Sequence, residues 1–192
     1  MIRRAFIAAL ALAFALPAFS SSAFAAPPAW KVDPARSSIR FTGAHTTLGA
    51  FSGAFKGWTA QIAFDPKDLA HSKVAVTIPT GGVKTGKDLI DAAWKDKEWF
   101  DVAAHPTASF AATSFKSLGV NKYSAGGVLT IKGKAYQANL PFTLAIVGKT
   151  ATMSGALTLD RTQLDIGMSS DPGADWVAKA VSVKIALRAS HP

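Results

Sequence analysis

The chain contains no cysteine and no apolar run long enough to cross a bilayer as a helix. Without cysteine there is no disulfide framework and no thiolate for a zinc site, so a packed core must hold the fold together. A membrane-spanning helix needs about 20 consecutive apolar residues, and the run that begins at Ala5 is broken by Pro17 and the serines at 20–22. Acidic residues are also few, 12 against 21 Lys and Arg.

The first 25 residues have the layout of a secretory signal peptide. Arg3 and Arg4 precede an apolar run that ends at Leu16, and small residues follow as far as Ala25. This order of charged, apolar and small-residue regions is typical of a segment that is cleaved on export. We therefore predict export with cleavage near Ala25, and a single domain over residues 26–192.

The exported part carries a formal charge of +7, because the loss of Arg3 and Arg4 takes two charges from the total of +9. An excess of this size favours anionic partners. The lysines are dispersed singly, with no basic run and no aromatic nucleic-acid-binding motif. We therefore expect no nucleic-acid partner. Two interpretations stay open: a solvated basic surface, and transient contact with an anionic membrane surface.

From residue 37 onward, apolar and polar residues alternate with a period of two, which is typical of half-buried antiparallel strands. Glycine-containing turns at 119–122, 133–134 and 148–149 join the later segments into hairpins. Strands of this kind either close into a barrel or fold over as a sandwich, and the period does not distinguish the two. The predicted strands lie at 37–47, 51–64, 73–79, 107–118, 122–132, 135–147, 150–160 and 179–190.

One segment departs from the strand pattern. Within residues 86–99, Leu89 and Ala93 are four apart, and so are Ile90 and Trp94. Residues at this spacing line one face of a short helix. Such a helix either caps one end of a barrel or lies on the surface with its aromatic side chains under the sheet.

The sequence shows no constellation of catalytic residues. Its four histidines lack the spacing that places two metal ligands on one helical face. Residues 81–87 resemble a phosphate-binding loop, but Asp88 stands where that chemistry needs a hydroxyl. Asp165, Asp171 and Asp175 lie in a loop without the aromatic platform of a glycosidase, and we interpret them as solvated loop residues. We expect no enzyme, no metal and no cofactor.

The segment from Asp91 to Phe110 is the most informative part of the chain: a short acidic and aromatic helix that leads through His105-Pro106 into a strand. It resembles the signature of the YceI-like family, whose members are periplasmic lipocalin-like barrels that bind polyisoprenoid lipids. The resemblance implies an all-β fold, an antiparallel eight-stranded lipocalin-like barrel. Further segments that follow the family's order and spacing are 30–34, 37–41, 51–55, 64–66, 85–86, 127–133, 140–142 and 161–167.

The resemblance also implies a periplasmic carrier that holds a long apolar lipid, a polyisoprenoid or an isoprenoid quinone, inside the barrel. We expect a monomer or a homodimer. An eight-stranded barrel can hold one small ligand in its interior. The alternative is a ligand-free periplasmic structural or stress-response module with a packed core. The expected ligand-binding residues are Phe41, His45, Ile62, Phe64, Val76, Ile78, Trp94, Phe110, Leu129, Ile131, Phe142, Leu144, Arg161, Val183 and Ile185.

Two positions depart from the family's pattern. The family usually has Arg-Asp followed two residues later by His, whereas this chain has Ile90-Asp91 and then Ala93. Leu164 stands where an aromatic residue is usual. An arginine and a histidine are thus missing near the expected mouth of the pocket, and a quinone or a fatty amide stays open as an alternative cargo.

Overall fold

The computed structural model describes residues 26–192, so that the predicted signal peptide at 1–25 lies outside the described residues. The described part consists mainly of strands, with one α-helix, α1 (Asp88–Ala93), and short 3-10 turns at 34–36, 80–82 and 161–164. The strands are β1 (Ala29–Val32), β2 (Ser38–His45), β3 (Gly49–Phe55), β4 (Thr59–Ala63), β5 (Lys73–Pro79), β6 (Val83–Lys84), β7 (Thr107–Gly119), β8 (Lys122–Ile131), β9 (Lys134–Val147), β10 (Thr150–Asp160) and β11 (Ala180–Ser190).

The strands form a closed antiparallel barrel of eight positions, which confirms the predicted fold class and excludes the sandwich. Three positions are each filled by two consecutive short strands: β1 with β2, β3 with β4, and β5 with β6. The strands β7 to β11 fill the other five. The barrel closes because β1 pairs with β11 on one side and with β4 on the other.

Each of the eight predicted strand segments contains an observed strand, with two differences. The segment 51–64 is divided between β3 and β4, because the chain turns at Gly57, whose φ of +73° lies in the left-handed region that glycine adopts most readily. Alternation did not predict β1, because four residues are too few to show a period.

The predicted helix is present but shorter than residues 86–99. It ends at Ala93, and turns carry the chain on to Phe100. The carboxylate of Asp91 accepts hydrogen bonds from the backbone N–H and the hydroxyl of Thr85, at 2.8 and 2.6 Å, and ties the helix to the end of β6. Trp94 and Phe100 are buried, whereas Leu89 is 88% exposed. The segment therefore caps the barrel through the residues that follow the helix.

The two ends of the barrel carry different elements. The α1 end carries α1, the β2–β3 turn, the β8–β9 turn and residues 161–179. The hairpin end carries the β4–β5 loop (64–72), the β7–β8 turn (120–121), the β9–β10 turn (148–149), and residues 26–28 and 191–192. Each end has its own cluster of buried apolar side chains. Within residues 26–192, no helix combines the length and the hydropathy needed to span a membrane.

Candidate functional site

The interior of the barrel contains a cavity of about 240 Å³. Alternate residues of a strand point to the same face, and the inward set of every barrel position is apolar, so that the walls offer almost no polar groups. An apolar cavity of about 150 Å³ stays dry and binds benzene. A larger cavity of the same character is therefore suited to a hydrocarbon.

The structure brings together fourteen of the fifteen predicted ligand-binding residues as lining of this cavity. Their contact with a ligand stays a prediction. They are Phe41, Ile62, Phe64, Val76, Ile78, Trp94, Phe110, Leu129, Ile131, Phe142, Leu144, Arg161, Val183 and Ile185.

Stacked aromatic rings close the cavity at the α1 end. The rings of Trp94 and Phe100 lie parallel with centroids 4.1 Å apart, and the ring of Phe41 lies 4.7 Å from that of Trp94. Such pairs contribute about 0.5–1.5 kcal/mol beyond the area that they bury. Among the side chains of residues 26–192, the indole Nε1 of Trp94 is the buried polar atom that lacks a hydrogen-bond partner. Its donor therefore remains available to an acceptor.

A second aromatic group closes the hairpin end. Phe64 is its centre, with the ring centroids of Phe115, Tyr123 and Phe142 at 5.4, 5.6 and 6.0 Å. The indole N–H of Trp30 donates to the backbone carbonyl of Phe64 at 2.9 Å, which fixes β1 against the end of β4. Both ends of the apolar interior are thus built from aromatic side chains.

Arg161 is the one charged residue in the lining formed by residues 26–192. Its side chain is only 2% exposed, and each of its three guanidinium nitrogens has protein partners. Nη1 donates to the carbonyl of Ile166 at 2.7 Å, and Nε donates to those of Val177 and Ala178 at 3.2 Å. Nη2 donates to the carboxylate of Asp171 and to Val177, both at 2.6 Å. The hydrogen-bond donors of the guanidinium are consequently all used by partners within the protein.

Comparison with known proteins agrees with this architecture. The YceI-like domain family matches residues 30–189. The chain belongs to the YceI-like family. This YceI-like chain is 28% identical over 184 residues to a UPF0312 protein of Ectopseudomonas mendocina, a match that covers 93% of this chain and 95% of the relative.

Solved structures resemble this YceI-like barrel as well. The crystal structure of Burkholderia cenocepacia BcnA is 32% identical with a TM-score of 0.78, and the match covers 82% of this chain and 99% of BcnA. A polyisoprenoid binding domain from Saccharophagus degradans, implicated in plant cell wall breakdown, is 15% identical with a TM-score of 0.68. That match covers 86% of this chain and 99% of the other, and at this identity it shows the fold alone.

The structure places His45 outside the lining of the YceI-like cavity. Its position on β2 has the same parity as Phe41, but the strand has reached the rim of the barrel at this point. The ring Nδ1 accepts hydrogen bonds from the backbone N–H groups of Thr47 and Leu48, at 3.1 and 3.3 Å. This geometry supports a role in the β2–β3 turn, and it does not support the expected role as a polar group of the pocket.

The interpretation of the three loop acids was wrong for one of them. Asp165 and Asp175 are exposed, but Asp171 is 5% exposed and pairs with Arg161. Burial raises the pKa of Asp171, but hydrogen bonds from the N–H groups of residues 175–177 and the charge of Arg161 lower it more, so that its pKa lies below the ordinary value. The acid is therefore a structural partner of Arg161 in the loop at the α1 end of the YceI-like barrel.

The sequence analysis missed several aromatic residues of the lining. Phe51 and Phe55 share an alternating inward face with Gly53, and this parity was a usable signal. Trp58 directly precedes β4 and shares the alternating face of Ile62 and Phe64, so it also had a usable signal, whereas Trp99 lies in a turn, where no period indicates which side chains point inwards.

Proposed function

We propose that this protein is a non-enzymatic periplasmic carrier for a long apolar lipid, a polyisoprenoid or an isoprenoid quinone, held inside the barrel. The observation that carries the proposal is the apolar cavity of about 240 Å³ between two aromatic ends. A core packed solid by the same residues, as a ligand-free structural module requires, would leave no such space.

The size of the hydrophobic effect supports binding of a lipid tail. Each buried methylene contributes about 0.8 kcal/mol. A tail segment with about ten buried methylenes therefore gains on the order of 8 kcal/mol, which corresponds to roughly micromolar affinity before ordering costs are subtracted. The Saccharophagus degradans domain of the same fold is a polyisoprenoid binding domain, and the proposal extends that class of lipid to this chain.

The charged and polar groups of the lining favour a neutral head group. Arg161 is already hydrogen-bonded through every guanidinium nitrogen, so it offers no donor to a phosphate. The unpartnered Nε1–H of Trp94 is, by contrast, suited to a single neutral acceptor such as a carbonyl oxygen. A quinone supplies that oxygen, and a polyprenyl phosphate would bring an unpaired charge into an apolar site.

Intrinsic fluorescence provides a test of ligand loading. Trp30, Trp58, Trp94 and Trp99 line the cavity, whereas Trp176 is 58% exposed on the surface. We expect a neutral polyprenol or quinone, added to delipidated protein, to change the emission of Trp176→Phe protein as strongly as that of wild type, with saturation in the micromolar range. A farnesyl phosphate of similar length should bind more weakly. Emission that does not respond to either neutral lipid would contradict the proposal.

Export and cleavage near Ala25 form part of the proposal, because a carrier of insoluble lipid is needed where the lipid must cross an aqueous compartment. The support is the order of charged, apolar and small residues in the first 25 positions. Peptide mapping of protein from its own periplasm should find an N-terminus within a residue or two of Ala26. Mature protein that retains Leu10 to Leu16 would contradict this location.

A further inference from the structure

Two neighbouring turns project from the hairpin end of the barrel. The β7–β8 and β9–β10 turns lie side by side, because β8 pairs with β9 and the backbone N–H of Leu144 donates to the carbonyl of Asn121 at 2.9 Å. Lys122 pairs with Thr143, so that β9 runs on for four residues, 144–147, beyond the start of β8. The second turn therefore projects past the first.

These turns expose large aliphatic side chains, which are residues that folded proteins usually bury in the core. Val120 is 89% exposed and Val147 80%, and Leu118 and Ile146 are also exposed. Single exposed apolar residues are ordinary on protein surfaces, but a group of them marks an interaction site. The hairpin patch is defined here as Leu118, Val120, Ile146 and Val147.

The charged side chains on the strands and turns of the hairpin patch are all basic, and the acids of the hairpin end, Asp65 and Asp68, lie in the separate β4–β5 loop. Lys116, Lys122 and Lys149 are exposed beside the aliphatic side chains. No Asp or Glu occurs anywhere between Asp101 and Asp160, so β7, β8 and β9 and their turns carry no negative side chain. Aliphatic side chains flanked by lysines are the pattern of proteins that sit in the interface of an anionic bilayer.

The α1 end of the same barrel can be compared with the hairpin end. It also exposes large apolar side chains, namely Leu48, Leu89 and Trp176. Exposed acids adjoin two of these, since Asp88 precedes Leu89 and Asp175 precedes Trp176. An anionic surface would repel these carboxylates. Both ends expose apolar residues, but only lysines flank them in the hairpin patch, whereas carboxylates adjoin Leu89 and Trp176 at the α1 end.

We propose that the hairpin patch docks onto an anionic phospholipid bilayer, with Val120 and Val147 entering the interface and the three lysines at the level of the head groups. This proposal rests on the proposed carrier function, because docking serves to bring the cavity next to a source of lipid. A second copy of the chain is a less suitable occupant, because a two-fold contact sets identical patches face to face and brings lysines of the same charge together.

Vesicle co-sedimentation of the exported protein tests the docking. One set of vesicles contains phosphatidylglycerol and phosphatidylcholine in equal parts, and the other contains phosphatidylcholine alone. We expect binding to the anionic vesicles only, weakened by salt because exposed charges are screened. The pairs Val120→Asp/Val147→Asp and Lys122→Glu/Lys149→Glu should each lower vesicle affinity at least about tenfold. The control pair Leu48→Asp/Leu89→Asp, 68% and 88% exposed at the other end, should leave affinity unchanged.

Two further readouts on the same samples separate the outcomes. Circular dichroism verifies that the variants fold, and extraction measures the apolar cargo. Wild type that carries cargo but ignores anionic vesicles overturns the docking and leaves the carrier function standing. Vesicle binding without cargo supports the docking and contradicts the carrier function. Hairpin variants that bind vesicles as tightly as wild type also overturn the docking. So does a wild-type protein that binds no vesicles but forms a dimer, if Val120→Asp/Val147→Asp dissociates that dimer.

Discussion

The guanidinium Nη2 of Arg161 lies 2.6 Å from the carboxylate Oδ2 of Asp171, and both side chains are almost completely buried. The pair joins the 3-10 turn after β10 to the loop that returns the chain to β11. Carbonyl groups of Ile166 and Val177 receive the other donors of the guanidinium. A single arginine therefore holds together the loop that forms one wall of the α1 end.

Replacement of Arg161 by Met should destabilise the barrel by about 3–5 kcal/mol, because it leaves a buried carboxylate without its cation. The double variant Arg161→Met/Asp171→Asn should lose less than the sum of the two single changes, since neither half of the pair is then left charged and alone. Urea denaturation measures both. If Arg161→Met lowers the free energy of unfolding by less than about 1 kcal/mol, the pair is no stronger than a surface ion pair, which would contradict this prediction.

Protonation of the Asp171 carboxylate should account for part of the loss of stability of the fold in acid. The folded-state pKa of Asp171 is lowered, so its stabilising contribution is complete above the unfolded pKa of about 3.9 and is lost as the pH falls through the folded pKa. Asp171→Asn should have a lower Tm at neutral pH, and its Tm should fall less steeply than that of wild type below about pH 4. Parallel acid profiles for the two proteins would contradict this assignment.

Gly53 should tolerate no side chain, because a Cβ built there lies 2.5 Å from Cζ of Phe41, its cross-strand partner. Gly53→Ala displaces this ring from the aromatic stack and should cost about 1–3 kcal/mol. Gly126→Ala is the control, since its nearest neighbour would be Cβ of Ser114 at an ordinary 3.6 Å. We expect a change within about 0.5 kcal/mol for the control. Equal melting temperatures for the two variants would show that the Phe41 ring has room to move.

Leu144→Trp tests whether the interior is hollow. Leu144 is buried and lines the cavity from β9. In a hollow barrel the indole occupies volume that a lipid tail otherwise fills, so bound lipid should decrease while the Tm changes little. In a solid core the same change is overpacking and costs about 1–3 kcal/mol. Ala145→Trp, the next residue on the exposed face, is the matched control and should alter neither quantity.

Local pattern was sufficient for most of the strands, whereas the barrel was expected from the family resemblance alone. Alternation along β9 and β11 is visible in the sequence because each has one buried and one solvated face, and the same parity identified Phe142, Leu144, Val183 and Ile185 as inward-facing. Barrel closure depends on β1, whose four residues carry no readable period. The pairing that closes the sheet joins residues more than 150 positions apart, beyond the reach of any local signal.

The polar residues of the site were harder to interpret. His45 lies on the same alternating face of β2 as Phe41, which points inwards. It does not line the cavity because it lies at the end of the strand, at the rim of the barrel. Asp171 lies in a Gly, Ser and Pro loop, a composition that indicates solvent exposure. Its burial is stabilised by Arg161 and by three N–H groups of its own loop. Such burial depends on loop geometry, which composition does not encode.

Native mass spectrometry of wild-type protein, purified from its own periplasm without detergent, tests most directly whether the barrel carries a lipid. We expect the mature chain to retain one apolar molecule with the mass of a polyisoprenoid or an isoprenoid quinone, released when the protein is unfolded. Leu144→Trp protein prepared in parallel should retain less of it, and Ala145→Trp protein the same amount as wild type. A wild-type spectrum that contains only the bare polypeptide mass, from protein that is folded, would contradict the carrier function.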